Sequence, residues 1–198
     1  LYGALGILAS SQGTMNSFVY GNERIQNYET ICGGTGAGPD HDGASAVQSH
    51  MTNTRMTDPE ILEWRFPVRI ESFSIRAGSG GKGLYRGGDG AVRRMRFLEP
   101  MTVTILSSHR DTDPYGLDGG EAGARGLNYV LRADGTRNNL AGNDEAQMER
   151  NDQSPPQNMR RRKLIASHTT QEQQRSNYIM SSSSSSSSNS PSSSAVAS

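Results

Sequence analysis

The chain has 198 residues, enough for one domain of ordinary size. Its 20 basic and 20 acidic side chains cancel, 14 against 15 up to Gly142 and 6 against 5 beyond it, so charge argues for neither nucleic acid nor a membrane surface as partner. No apolar run approaches the roughly 18 residues of a membrane span, and the single cysteine, Cys32, excludes an internal disulfide and fits a cytoplasmic protein.

Leu1–Ala9 is apolar and reads as the end of a helix or as a buried strand. The nine residues are too few for their periodicity to decide. Residues 10–14 form a polar turn. Met15–Tyr20 and Arg24–Cys32 have strand composition around Gly21-Asn22, which predicts a hairpin. It leads into a loop with five glycines, Gly33, Gly34, Gly36, Gly38 and Gly43. Glycine inside a helix or strand costs about 0.5–1 kcal/mol relative to alanine, so this run marks backbone that turns sharply or approaches something closely.

Ala44–Met51 reads as a short helix or an extended segment. Thr57 with Glu60 makes a capping-box pattern and Pro59 suits a first helical turn, which predicts a helix at about 58–64 that stops before Pro67. Val68–Ala77 alternates apolar and polar residues with one irregular step near Ser72/Phe73, a strand with a bulge. Ala91–Phe97 and Met101–Ser107 follow as two more strands, and the three together read as an antiparallel meander. Leu127–Leu131 and Arg137–Leu140 form a further hairpin around Asp134-Gly135. The fold class is α+β and β-rich: antiparallel strands, long glycine-rich loops and few short helices.

All 23 glycines lie at or before Gly142, and eight consecutive serines occupy 181–188. The expectation is an ordered body over 1–142 and a disordered low-complexity tail over 143–198, where apolar surface is too sparse to offset ordering entropy. The basic run Arg160–Lys163 in that tail reads as solvated charge.

Several residues carry possible chemistry. Gly78–Gly83 satisfies G-x-G-x-x-G after a strand, but no helix follows, so a hairpin turn is the better reading than a nucleotide loop. His41 and Asp42, with Asp40 and His50, have donor types that suit a divalent ion. Their spacing matches no compact ligand motif, and ordinary solvated residues in a polar turn are the better reading. Cys32 could be a nucleophile with His50 or His109 as base, or a small buried packing residue. Glu29, Asn53, Thr54 and Arg55 could position a substrate carboxylate or amide, or hold the loop's own backbone groups. Arg110, Asp111, Asp113 and Tyr115 form a similar, weaker polar cluster.

Five ordered blocks, SQGTMNSFVYGN, YETICGGTGAGP, HMTNTRMTDPEILE, FSIRAGSGGKGLYRGGDGAVR and ILSSHRDTDPYGLDGGEAGARGLN, resemble the C-terminal part of the hydantoinase B/oxoprolinase family. The resemblance covers about 1–142 and is strongest to its ATP-dependent 5-oxoprolinase branch. Asn27-Tyr28 and Gln48-Ser49 stand where the family carries paired aromatics and His-Thr.

The resemblance implies a cytoplasmic hydrolase of cyclic amides in glutathione metabolism. Such an enzyme opens the lactam of 5-oxo-L-proline to L-glutamate. It also implies a hydantoinase A-type ATPase region or subunit as partner, oligomerisation, and ATP with a divalent metal in the full-length enzyme, none of them held by this segment. Glu29, Cys32, Gly33, Gly34, His50, Asn53 and Arg55 would contribute to the substrate wall. The expectation is a segment truncated at both ends, inactive alone; a non-catalytic remnant or interaction module is the alternative.

Overall fold

The computed structural model describes residues 1–50 and 52–154. The expected tail from Pro155 onward, with its basic run, lies outside them.

Nine strands and one helix form the described body. Strands β1 (Ser17–Gly21), β2 (Gln26–Thr30), β5 (Met101–Leu106) and β8 (Asn143–Met148) make a four-stranded sheet in the order β2-β1-β5-β8. Strands β3 (Val68–Ile75), β4 (Ala91–Phe97), β6 (Asn128–Leu131), β7 (Arg137–Leu140) and β9 (Gln153–Ser154) make a second, ordered β3-β4-β9-β6-β7. Every pairing is antiparallel.

The two sheets share one core. Period-2 alternation turns Phe18 and Tyr20 of β1, and Met101, Val103 and Ile105 of β5, to the same interior as Met95 and Phe97 of β4. The Tyr20 ring meets Phe97 edge-on at 5.8 Å and Phe66 at 6.0 Å, which joins the layers.

The predicted hairpins form at β1–β2 and β6–β7, and β3 carries its irregular step between Ile70 and Ser72. Helix α1 (Pro59–Arg65) forms where expected and buries Leu62. Its cap differs: Asp58, not Thr57, accepts the Glu60 N–H at 2.9 Å, with Pro59 opening the first turn.

Other expectations are corrected. The meander breaks after β4, because β5 crosses to the other sheet and pairs with β1 and β8. Leu1–Ala9 is a set of exposed turns rather than helix or buried strand. Ala44–His50 is neither helix nor strand: it bends at Ser45-Ala46, where Ala46 has φ 50°, turns at His50, and touches the glycine loop through one Gly33–Val47 bridge. Strand pairing also continues past Gly142: β8 buries Ala146 and Met148 although its polar residues hide the period in a short window. Among the described residues no helix is long and apolar enough to cross a membrane.

Candidate functional site

Glycine-rich loops from both sheets meet at one end of the body. The segment after β2 lies against the β3–β4 loop through backbone hydrogen bonds: Gly88 N donates to Thr35 O at 2.9 Å and Gly43 N to Arg86 O at 2.8 Å. Only glycine permits this approach. A Cβ on Gly34 would lie 2.0 Å from the Gly88 carbonyl oxygen, and one on Gly88 would lie 2.0 Å from that of Ala44.

Between these loops and the β5–β6 loop is an open cavity of about 410 Å³, a size suited to a small molecule. Cys32, Gly33 and Gly34 line one wall. Ser10, Ser11 and His109 line another.

Asp89 organises the β3–β4 loop. Its carboxylate accepts from Gly78 N at 3.1 Å, Gly80 N at 2.8 Å and Arg86 Nη2 at 2.8 Å. Burial acts to raise its pKa, but those donors outweigh burial and leave it below its ordinary value. Two amides of the G-x-G-x-x-G run are therefore already satisfied, which supports the hairpin-turn reading over a phosphate cradle.

The sequence-derived candidates divide. Gly33, Gly34 and Cys32 reach the cavity. Cys32 is buried, and desolvation pushes its thiol up from the ordinary 9.0, against activation as a thiolate. Glu29 faces the core instead. It sits opposite Phe18 in the β1–β2 register and pairs with Arg93 Nη2 at 2.6 Å.

His50 does not reach Cys32. Its Nε2 lies 2.6 Å from Ser11 Oγ, and its ring stacks on Tyr2 at 4.9 Å. His109 approaches the same turn from the other side, donating from Nε2 to the Ser11 carbonyl at 2.8 Å and lying 3.2 Å from Ser10 Oγ. Both histidines adopt positive φ, 56° and 57°, an uncommon backbone that persists only where the surroundings enforce it.

Thr54 bonds Thr30 through their hydroxyls at 2.7 Å, while Asn53 and Arg55 are exposed. His41 Nδ1 contacts Asp40 at 2.7 Å, and Asp42 accepts from Arg86 N at 2.6 Å, so the two metal candidates face different partners. Among the described residues no group of three or more His, Cys, Asp or Glu is placed to hold a metal.

Sequence reasoning missed Ser11, Gln12 and Arg76. Gln12 is buried and links Asn16 Nδ2 (3.0 Å) to Gln48 Oε1 (3.2 Å), and Gln48 in turn donates to Thr30 (3.0 Å). This relay braces the wall behind Cys32. A Ser-Ser-Gln-Gly string reads only as a turn, so no local signal marks it.

The family model for hydantoinase B/oxoprolinase matches residues 1–159. The chain belongs to the hydantoinase B/oxoprolinase family. It is 53% identical over 149 residues to a 5-oxoprolinase of Dictyostelium discoideum, covering 75% of this chain and 12% of that protein. It is 51% identical over 141 residues to 5-oxoprolinase 1 of Arabidopsis thaliana, covering 71% and 11%. The chain thus spans about a tenth of the length of these relatives.

Two solved structures share the fold of this family segment. An ATP-dependent caprolactamase from Pseudomonas jessenii superposes with a TM-score of 0.59 at 20% identity, over 75% of this chain and 28% of that one. A nucleotide-free acetone carboxylase superposes with a TM-score of 0.62 at 21% identity, over 75% and 25%.

Proposed function

We propose that this chain forms part of the B-type region of an ATP-dependent cyclic amide hydrolase, and that its glycine-walled cavity is one side of the site that opens 5-oxo-L-proline to L-glutamate. The observation that carries this is the family match over residues 1–159, which span every loop of the cavity, with 53% identity to a 5-oxoprolinase over 149 residues.

The chemistry suits the site. A lactam carbonyl is a poor electrophile, and ATP in a hydantoinase A-type partner region would phosphorylate its oxygen and activate the carbon. This chain's residues then hold the ring, exclude bulk water and direct one water to that carbon. The C–N bond breaks with a proton passing to the ring nitrogen, and a second water releases phosphate from the acyl phosphate that results. The close-packed loops give a rigid wall. His50 is outside the cavity lining but lies 2.6 Å from Ser11 Oγ, which lines it, and is the candidate for moving the water's proton through that hydroxyl. Asn53 and Arg55, exposed and outside the cavity's own lining, are proposed to reach the substrate from beyond it. That activity belongs to cytoplasmic glutathione metabolism.

A chimaera tests this directly. Residues 1–154 replace the matching segment of the Dictyostelium discoideum 5-oxoprolinase, and ATP-dependent glutamate formation is followed. Turnover near that of the parent is expected. A folded chimaera without turnover overturns the reading and favours an interaction module. The exposure of Trp64 (86%) and Leu84 (94%) speaks for that second reading, because large apolar side chains left in water suit a partner surface.

A further inference from the structure

The cavity holds two arginines that form no ion pair with a carboxylate among the described residues. Arg24, Arg86, Arg93, Arg96, Arg125 and Arg132 each pair with a carboxylate. Arg76 and Arg110 are half-buried, line the cavity, and have no such partner among the described residues.

Their hydrogen bonds go to neutral acceptors. Arg110 donates from Nε to Asn128 Oδ1 at 3.0 Å and from Nη1 to the Ser108 carbonyl at 2.6 Å, while its Nη2 is buried with no partner. Arg76 donates from Nη1 to the Arg125 carbonyl at 2.8 Å. The two are close enough to repel: burial first, and then the charge of Arg76, bring the Arg110 pKa down to about 10.

Among the described residues, no buried acid of the cavity is free to compensate. Asp89, the carboxylate that acts on Arg76, already holds Arg86 and two loop amides. Asp118 and Glu121 line the cavity only at its exposed rim. The guanidinium position is also built. A Cβ on Gly126 would sit 2.2 Å from Arg110 Nη1, so glycine there lets the planar group lie against the backbone.

Like charges held together in a half-buried corner, one with an unsatisfied donor, are costly unless something else brings negative charge. A planar guanidinium beside a second cation matches the geometry of a bound carboxylate or phosphate. We propose that Arg76 and Arg110 form an oxyanion subsite in the cavity, which takes the carboxylate or phosphate group of a small molecule. This goes beyond the lactam reading and stands or falls separately from it.

Calorimetric titration of the 198-residue chain at constant ionic strength tests the subsite with three probes: inorganic phosphate, 5-oxo-L-proline and uncharged 2-pyrrolidinone. Saturable binding of phosphate, of 5-oxo-L-proline, or of both is expected, and the pattern identifies the source of the anion. With a carboxylate as the ligand, 2-pyrrolidinone binds at least about tenfold more weakly than 5-oxo-L-proline.

Arg76→Gln and Arg110→Gln should each weaken the anion about tenfold, and Arg24→Gln, which removes the same charge elsewhere, should not. If Arg110→Gln does not fold, Arg76→Gln decides, since its side chain braces only one exposed carbonyl.

Phosphate binding without 5-oxo-L-proline binding supports the subsite and counts against the lactam reading. Equal binding of the two lactams with no phosphate binding overturns the subsite and leaves the lactam reading standing. Absence of saturable anion binding, or equal weakening by Arg24→Gln, also overturns the subsite.

Discussion

Glu29 Oε2 sits 2.6 Å from Arg93 Nη2 inside the sandwich, with 3% and 6% of the two side chains exposed. Alternation along β4 puts Arg93 on the face of Met95 and Phe97, so the charge enters the core and requires a partner there. Burial pushes Glu29 up and Arg93 down, and the pair opposes both shifts. Arg93→Met or Glu29→Gln alone should cost about 3–5 kcal/mol, because the remaining group is left buried without its counter-charge. The double change Glu29→Leu/Arg93→Met should recover most of that. Urea midpoints of the chain measure it, and single losses under about 1 kcal/mol would refute a structural role for the pair.

Asp89 makes the stability of the cavity loops depend on acid. Its folded pKa lies below the ordinary 3.8, so its contribution is fully present above that value. The contribution is lost as pH falls through the folded pKa. Asp89→Asn should therefore be less stable than the parent at pH 7 by about 1–3 kcal/mol, and the gap should close below about pH 4. Thermal melts across pH follow it. A gap that widens in acid has the wrong sign for this carboxylate.

The loop contacts predict opposite responses at two glycines. Gly34→Ala drives a Cβ into the Gly88 carbonyl, where neither backbone can yield, and should cost at least about 3 kcal/mol. Gly13 has open space around it and no positive φ, so Gly13→Ala should leave stability unchanged or raise it by up to about 1 kcal/mol. Equal losses at both positions would contradict the packing.

Cys32 is buried with a raised pKa. Its alkylation by iodoacetamide at about pH 8 should run at least tenfold slower in the native chain than in urea, by roughly the ratio of accessible thiolate. Comparable rates would reopen the nucleophile reading.

His50→Ala in the chimaera should lower turnover about 10²-fold, the usual worth of a positioned acid or base. Arg55→Ala should reduce turnover while stability stays within about 0.5 kcal/mol, since its side chain is exposed. If Arg55→Ala unfolds the protein, that arginine is structural.

Much of the fold was legible in short windows. Each hairpin, the bulge in β3 and the start of α1 rest on alternation, turn residues or a cap within a few positions. Strand β8 was not legible. Its apolar residues, Ala146 and Met148, are too few to declare a period, and β5 recruits it by backbone pairing. The capping oxygen was also misplaced by one residue, because Thr57 and Asp58 are both good caps and only local geometry chooses.

The glycine loop at Gly33–Gly43 was recognisable as backbone in close approach, yet its partners were not. Glu29 belongs to the core, His50 to Ser11 rather than Cys32, and the cavity arginines without a carboxylate partner among the described residues are Arg76 and Arg110, 34 residues apart in a chain where nothing local links them. The sequence by itself determined most of the strands, the hairpin turns and the family, since periodicity, turn chemistry and ordered motif blocks are local properties. Only the tertiary structure decided which loops meet, which arginines meet in the cavity and which histidine serves which hydroxyl. Those contacts depend on β5 changing sheets and closing the sandwich, a long-range pairing that no short window encodes.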